Sequence, residues 1–300
     1  MKRKLVKQGT STLMISLPSK WIHINNLSKG SEVELEQLDD NLIISSRPIS
    51  IKLETTINLS ESTETYVRTL ITNTYRRGYD KIKIFYNNQE QFNLLLHIIK
   101  TRLICFDIIK KEQNYCIVEN ITEPDVSQFD NIMRKMFFGI SELFEEIKKR
   151  FENKIKNPND IDEIAERIQK YDNFCRRVIM KQKITSKDTE LLWAFLTLMI
   201  HGQREIYLIS KINFKNTTIS SKTKDFLNDI KQLYETLVSI YLNKDAKLVA
   251  KIHIQNDMCY KKGLLLLQNS QGKETLLTHH LLSAGRIFYQ ANSPIVGLII

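Results

Sequence analysis

The chain opens on two short runs in which apolar and polar residues alternate. Residues 3–7 and 12–17 carry the period-two rhythm of β-strands, and Gly9 permits the turn between them. Pro18-Ser19 then starts a short helix over residues 20–26, with Ser19 as its cap. Gly30 stands at a helix-to-strand corner that calls for positive φ. Val33 and Leu35, followed by Leu42, Ile43 and Ile44, predict a second hairpin through Asp39-Asp40-Asn41. A unit of about 47 residues is near the size at which a single chain cannot bury enough apolar surface to fold alone. Closure by a second chain is the physical way out.

Arg47-Pro48 marks the first boundary, and residues 48–124 read as an α+β layer. Ile49, Ile51 and Leu53 alternate as a strand. A helix over 61–77 puts Tyr66, Val67, Leu70, Ile71 and Thr74 on one face and stops at Gly78-Tyr79-Asp80. Residues 81–86 alternate as a strand. A second helix, 89–101, turns Phe92, Leu95, Leu96 and Ile99 inward. Strands over 103–110 and 115–120 are joined by Glu112-Gln113-Asn114.

From residue 125 to residue 300 the rhythm becomes helical, and no proline occurs between Pro158 and Pro294. The first helix repeats Phe129, Ile132, Met133, Met136, Phe137, Ile140, Leu143, Phe144 and Ile147 at spacings of three and four. Asp125 and Gln128 form its capping pair after Pro124. Five further helices are expected over 160–183, 186–213, 221–242, 244–268 and 273–299. Short connections make them antiparallel, and their lengths suggest two three-helix repeats.

Charge sharpens this picture at one end. The first 31 residues hold six Lys/Arg and no acid, and the next fifteen hold Glu32, Glu34, Glu36, Asp39 and Asp40 and no base. Such segregation predicts a positive face on the small strand-rich unit. The net charge of +10 favours an anionic partner, either nucleic acid or a membrane surface. Cys105, Cys116, Cys175 and Cys259 form no C-x-x-C pair, the usage of a reducing cytosol with buried thiols. The basic amino terminus lacks the apolar stretch of a signal peptide. The longest apolar run, 191–200, is roughly half a bilayer span, so a soluble, cytoplasmic protein without membrane insertion is expected. No P-loop, G-x-S-x-G or H-E-x-x-H motif is present, and glycine is scarce, so no enzymatic activity is expected. Ser16, Ser19 and Lys20 could be set out as a nucleophile and base, but they fall in a strand and a cap.

Residues 1–47 resemble the SpoVT-AbrB, or swapped-hairpin, DNA-binding domain. The likeness lies in Lys7-Gln8-Gly9-Thr10-Ser11, in Ile15-Ser16-Leu17-Pro18-Ser19-Lys20-Trp21, in Leu27-Ser28-Lys29-Gly30 before Glu32-Val33, and in Asn41-Leu42-Ile43-Ile44. The resemblance implies that two chains interleave their hairpins into one small barrel whose basic side contacts DNA. It makes Lys2, Arg3, Lys4, Lys7, Ser11, Thr12 and Lys20 the candidate DNA-binding residues.

Residues 66–84, from Tyr66-Val67-Arg68 to Lys81-Ile82-Lys83-Ile84, resemble the middle segment of archaeal PhoU-like phosphate uptake regulators. So do Leu103-Ile104-Cys105-Phe106-Asp107-Ile108, with Cys105 where that segment usually has Gly. The resemblance implies a DNA-binding domain followed by a PhoU-like pair of three-helix bundles. It also implies a homodimer, or a dimer of dimers, linked to phosphate uptake. PhoU-like bundles can hold metal clusters through E/D-x-x-x-D motifs, and this chain departs from them. Ile168 precedes Asp172, Gln203 stands for an acid, Asn256 and Tyr260 flank Asp257, and Tyr289 replaces the Asp of R-I-x-D. Hard cations and iron need several converging carboxylates, and His201, His253, His279 and His280 lack a ligand spacing. No metal or other cofactor is therefore expected. The sequence supports a DNA-binding transcriptional regulator linked to phosphate uptake, with the bundle as sensor or docking module. The alternative is a cytosolic adaptor that docks on a phosphate transporter or signalling protein, its first domain serving only to dimerise.

Overall fold

A computed structural model describes residues 2–10, 12–38, 41–46, 52–122, 128–152, 160–181, 188–214 and 218–300. The chain divides into two compact units, Met1–Lys52 and Leu53–Ile300. The first is a small β domain, and the second is mostly helical.

In the first unit β1 (Val6–Gln8) and β2 (Thr12–Met14) form an antiparallel hairpin with Val6 opposite Met14, Lys7 opposite Leu13 and Gln8 opposite Thr12. Gly9 turns it at φ 70°. The strand is shorter than the alternation predicts, so Lys2, Arg3 and Lys4 precede it rather than belong to it. Helix α1 (Ser19–Ile24) follows, with Pro18 at the capping position. Ser19 is therefore the first helical residue and supplies no side-chain cap, because Pro18 already has the extended backbone of an N-cap. The other end is closed by Asn26 at φ 52°. Its N–H donates to His23 O at 3.2 Å, and the Leu27 N–H donates to Ile22 O at 3.0 Å. This is a Schellman closure with Asn in the left-handed position. Gly30 has the expected positive φ, 88°. Strands β3 (Glu34–Leu38) and β4 (Asn41–Ser45) pair antiparallel. The turn at Asp39-Asp40, the Arg47-Pro48 boundary and the strand positions Ile49 and Ile51 lie outside the described residues.

The second unit begins with a four-stranded sheet, ordered β5-β6-β8-β7. Strands β5 (Glu54–Asn58) and β6 (Lys81–Phe85) are parallel and are joined by α2 (Glu64–Arg76). Strand β8 (Tyr115–Asn120) is antiparallel to β6 and to β7 (Phe106–Lys111). Helices α2 and α3 (Gln89–Arg102) share a core with Ile82, Ile84 and Val118, the inward half of the alternation. Asn88 caps α3 by accepting the Gln91 N–H at 2.9 Å.

Among the described residues seven helices follow: α4 (Phe129–Phe151), α5 (Asp160–Lys181), α6 (Thr189–Ile209), α7 (Ser221–Asn243), α8 (Lys247–Asn269), α9 (Lys273–Gln290) and α10 (Asn292–Ile299). The helix expected over 273–299 breaks after Gln290. Pro294 has no N–H to continue the ladder but is tolerated in the first turn of a new helix. The Asp125 half of the capping pair before α4 lies outside the described residues. One apolar core runs through α4 to α10, with Phe144, Tyr234 and Phe288 in mutual ring contact at its centre. Gly202 lets α9 approach α6, since a Cβ there would lie 2.5 Å from the Phe288 ring.

Helix α5 joins the helical core to the sheet layer. Its apolar face enters the core, and its other face carries Asp172, Asn173, Arg176 and Arg177, all buried. The Arg177 guanidinium donates to Tyr75 O at 3.0 Å and Tyr79 O at 2.7 Å and forms an ion pair with Asp80. It also lies 5.0 Å from the Tyr75 ring centre and 4.8 Å from that of Phe106. Arg76 reaches back from α2 to Asn173 at 2.8 Å and Asp172 at 2.9 Å.

Candidate nucleic-acid interface

The basic arm is open to solvent. Lys2, Arg3, Lys4, Lys7, Thr12 and Lys20 are all exposed, and Ser11 lies outside the described residues. Among the described residues none of the five cations is engaged by an acid. Lys7 is held on β1 opposite Leu13. Lys20 stands in the first turn of α1. Lys2, Arg3 and Lys4 form the approach to β1. Unpaired, hydrated cations keep their charge available for phosphate oxygens, which is the footprint of a polyanion-binding surface.

The same unit has no buried residue among those described. Leu5 is 63% exposed, Val6 59%, Leu13 60%, Leu35 61% and Leu42 59%, and Met14, Ile15 and Ile24 are exposed as well. Two separate two-stranded hairpins are marginal in water, and here both leave apolar side chains uncovered. Local hydrogen bonds tie the unit together. Ser46 Oγ donates to Asn25 Oδ1 at 2.7 Å, and Asn25 Nδ2 donates to Trp21 O at 2.8 Å. Bonds of this kind fix geometry but do not supply a core.

Elsewhere, Asp172 and two of the histidines are engaged by other side chains. Asp172 accepts from Arg76 and, at 2.8 Å, from Arg176 Nε, so its oxygens face guanidinium groups. Asp257 is exposed on α8. His253 Nδ1 lies 2.7 Å from Tyr289 Oη, and His280 Nδ1 lies 2.8 Å from Glu205 Oε2. Among the described residues no three His, Cys, Asp or Glu side chains converge. Burial pushes the thiols of Cys116 and Cys259 up to about 11, which leaves them protonated and unreactive at neutral pH. Among the described residues no helix is long and apolar enough to cross a membrane.

The first unit thus sets in order a hairpin with a basic, exposed approach, a short helix and a second hairpin. Residues 6–53 match the family model described as "Antidote-toxin recognition MazE, bacterial antitoxin". The match takes in Lys7, Ser11, Thr12 and Lys20, while Lys2, Arg3 and Lys4 precede it. MazE/AbrB-like domains typically bind DNA and dimerise, so the match is consistent with a DNA-binding or antitoxin-type regulator. Neither a curated protein nor a solved structure gives a match to this chain.

Two features of the second unit were not singled out as functional from sequence. One is the buried arginine network of α5. The other is a polar cavity bounded by α2, α5 and α6. The first is built from Arg, Asp and Asn and the second mainly from Arg, Glu and Gln, at helical spacings that a sequence does not distinguish from a solvated face.

Proposed function

We propose that the protein is a homodimeric, cytoplasmic DNA-binding transcriptional regulator without enzymatic activity. The observation that carries this reading is the joint exposure of unpaired basic residues and uncovered apolar residues in one small module. A second copy laid on the apolar residues would close a core. It would also double the positive charge about a two-fold axis. Lys2, Lys4, Lys7 and Lys20 then contact phosphates, Ser11 and Thr12 offer hydroxyls at the Gly9 turn, and Arg3 reads a base edge.

The link to phosphate uptake, and the division of the helices into two PhoU-like bundles, rest on the resemblance at 66–84 and 103–108. The structure adds one supporting detail. Cys105 has φ 62°, the left-handed backbone that accounts for a Gly at that place in the PhoU-like segment. On this reading residues 1–47 bind DNA, 48–124 form the α+β layer, and 125–300 sense a signal or dock a partner. In the adaptor reading that partner is a phosphate transporter or signalling protein.

Mapping of bound DNA sites across the genome, with and without phosphate starvation, tests the proposal. Enrichment at a limited set of sites that changes with phosphate supports it in full. Enrichment indifferent to phosphate removes the phosphate link, and no enrichment favours the adaptor.

A further inference from the structure

Helix α8 is buried on one side only. Ile252, Cys259 and Gly263 face the helical core, and Lys262 on that flank pairs with Asp229 of α7. The opposite side is open along the helix. Ile254 is 64% exposed, Met258 66% and Leu265 61%, and Tyr260 and Leu264 are exposed as well. A surface helix of a globular protein gives its apolar residues to one stripe that faces the core. Here a second apolar stripe faces water, on a helix of 23 residues, about 34 Å long. The charged residues of that stripe are unmatched. Lys251, Asp257 and Lys261 are exposed, and among the described residues none of them is in an ion pair. Lys251 also lies toward the amino end of α8, where a cation opposes the helix dipole, and the last turn of α8 holds no basic residue.

Spacing and charge along the stripe select its partner. Ala250, Ile254, Asp257, Lys261, Leu264 and Gln268 follow one another at alternating intervals of four and three, the seam of a two-helix coil. Let a second α8 lie antiparallel on this seam, with the two-fold axis beside Cys259. Ile254 then meets the partner's Leu264, Asp257 meets the partner's Lys261, and Ala250 meets the partner's Gln268, and each contact occurs twice. Met258 meets its own copy on one side of the seam and Tyr260 its own copy on the other. Lys251 reaches the last turn of the partner's α8, the negative end of that helix dipole. A slide of one heptad in either direction sets Ile254 against Asp257 or carries it past the helix end to Gln271, so one register satisfies the apolar and the charged positions together. An acidic peptide or an anionic lipid surface would instead set a like charge against Asp257 in the middle of the seam.

We infer that the exposed face of α8 is a self-association surface, covered by the α8 of a second copy of this chain in an antiparallel pair about a two-fold axis. This contact is additional to the two-chain core of the first unit and does not rest on it.

Cross-linking of the full chain tests the pair. The background carries Leu13→Glu, to weaken association through the first unit, and Cys105→Gly, to remove the one native thiol that is not buried. Met258→Cys lies beside the two-fold axis, and a short bismaleimide should join it to its own copy at micromolar chain concentration. Ala246→Cys, exposed at the far end of the same helix, lies far from its own copy and should not cross-link. Asp257→Lys or Lys261→Asp, each added to Met258→Cys, sets like charges against each other and should raise the concentration for half cross-linking roughly tenfold or more. The two changes together restore opposite charges across the axis and should return it to its starting value. All these positions on α8 are exposed, so folding tolerates the changes. No cross-link through Met258→Cys, or an equal yield through Ala246→Cys, would overturn the pair. Single charge changes without effect, or a double change that restores nothing, would overturn the register. The readout lies within α8, so failure of the first-unit core would leave these outcomes unchanged.

Discussion

Replacing Leu13 by Glu separates a lone module from one covered by a second copy. Leu13 sits opposite Lys7 in the first hairpin and is 60% exposed. If that surface stays in water, the substitution falls among ordinary surface changes, within about 0.5 kcal/mol. If a second chain covers it, two terms appear. Full burial of a leucine is worth about 1.5–3 kcal/mol, and three-fifths of that is about 1–2 kcal/mol per chain, counted twice in a dimer. Each carboxylate must also leave water, at several kcal/mol apiece. The sum is at least about 4 kcal/mol, or about a thousandfold in the dimer dissociation constant. Residues 1–52 alone suffice for the assay. Sedimentation equilibrium and circular dichroism over a dilution series should show a folded dimer that unfolds as it dissociates. Leu13→Glu should push that transition about three decades higher in concentration. A folded wild-type monomer at micromolar concentration, or an unchanged dissociation constant in Leu13→Glu, would refute the two-chain core.

Other consequences concern the second unit. Arg177→Met strips the buried Asp80 of one cation and leaves the carbonyls of Tyr75 and Tyr79 without that donor. Urea unfolding followed by Trp193 fluorescence, in a Trp21→Phe background, should show a loss of about 3–5 kcal/mol. Cys105→Gly relieves the left-handed backbone at φ 62° and should raise stability by about 1 kcal/mol in the same assay. Burial pulls the Glu274 pKa upward, but hydrogen bonds from Ser220 and Thr223 outweigh it and hold the carboxyl below the usual glutamate range. Its stabilisation is therefore present above the unfolded pKa of about 4.3 and is lost as pH falls through the lower folded value. Glu274→Gln should lower the melting temperature at pH 7, with the difference from wild type closing below about pH 4.

Period and turn chemistry made much of the fold legible. Ile82 and Ile84 alternate inward on β6, and Met133, Met136, Phe137 and Ile140 repeat along the buried face of α4. Gly9 and Gly30 mark the two places in the first unit where glycine takes positive φ. The break between α9 and α10 was signalled by Pro294 but masked by the apolar residues that follow it. The way α5 meets the sheet layer was not legible, because buried Arg176 and Arg177 have the letters of a surface pair. The burial of Arg177 depends on Asp80, Tyr75 and Tyr79, about a hundred residues away in the chain, and that of Arg176 on Asp172 and on Thr197 of α6. The candidate interface was legible as a charge run. Its apolar residues read as ordinary strand cores and proved to be exposed in a single chain. Gln203 was legible only as a missing acid, and its burial was not.

The central claim is that the basic arm grips nucleic acid through phosphates. Fluorescence anisotropy of a labelled duplex over a salt series measures this directly, on a selected site and a scrambled one. The wild-type affinity should fall steeply with salt. Lys4→Ala and Lys7→Ala should weaken both duplexes alike, and each should flatten the salt slope by roughly one unit, the signature of one phosphate left unneutralised. Arg3→Ala should cost the selected site about 1–3 kcal/mol more than the scrambled one. Affinity unchanged in all three variants, or indifferent to salt, would contradict the account.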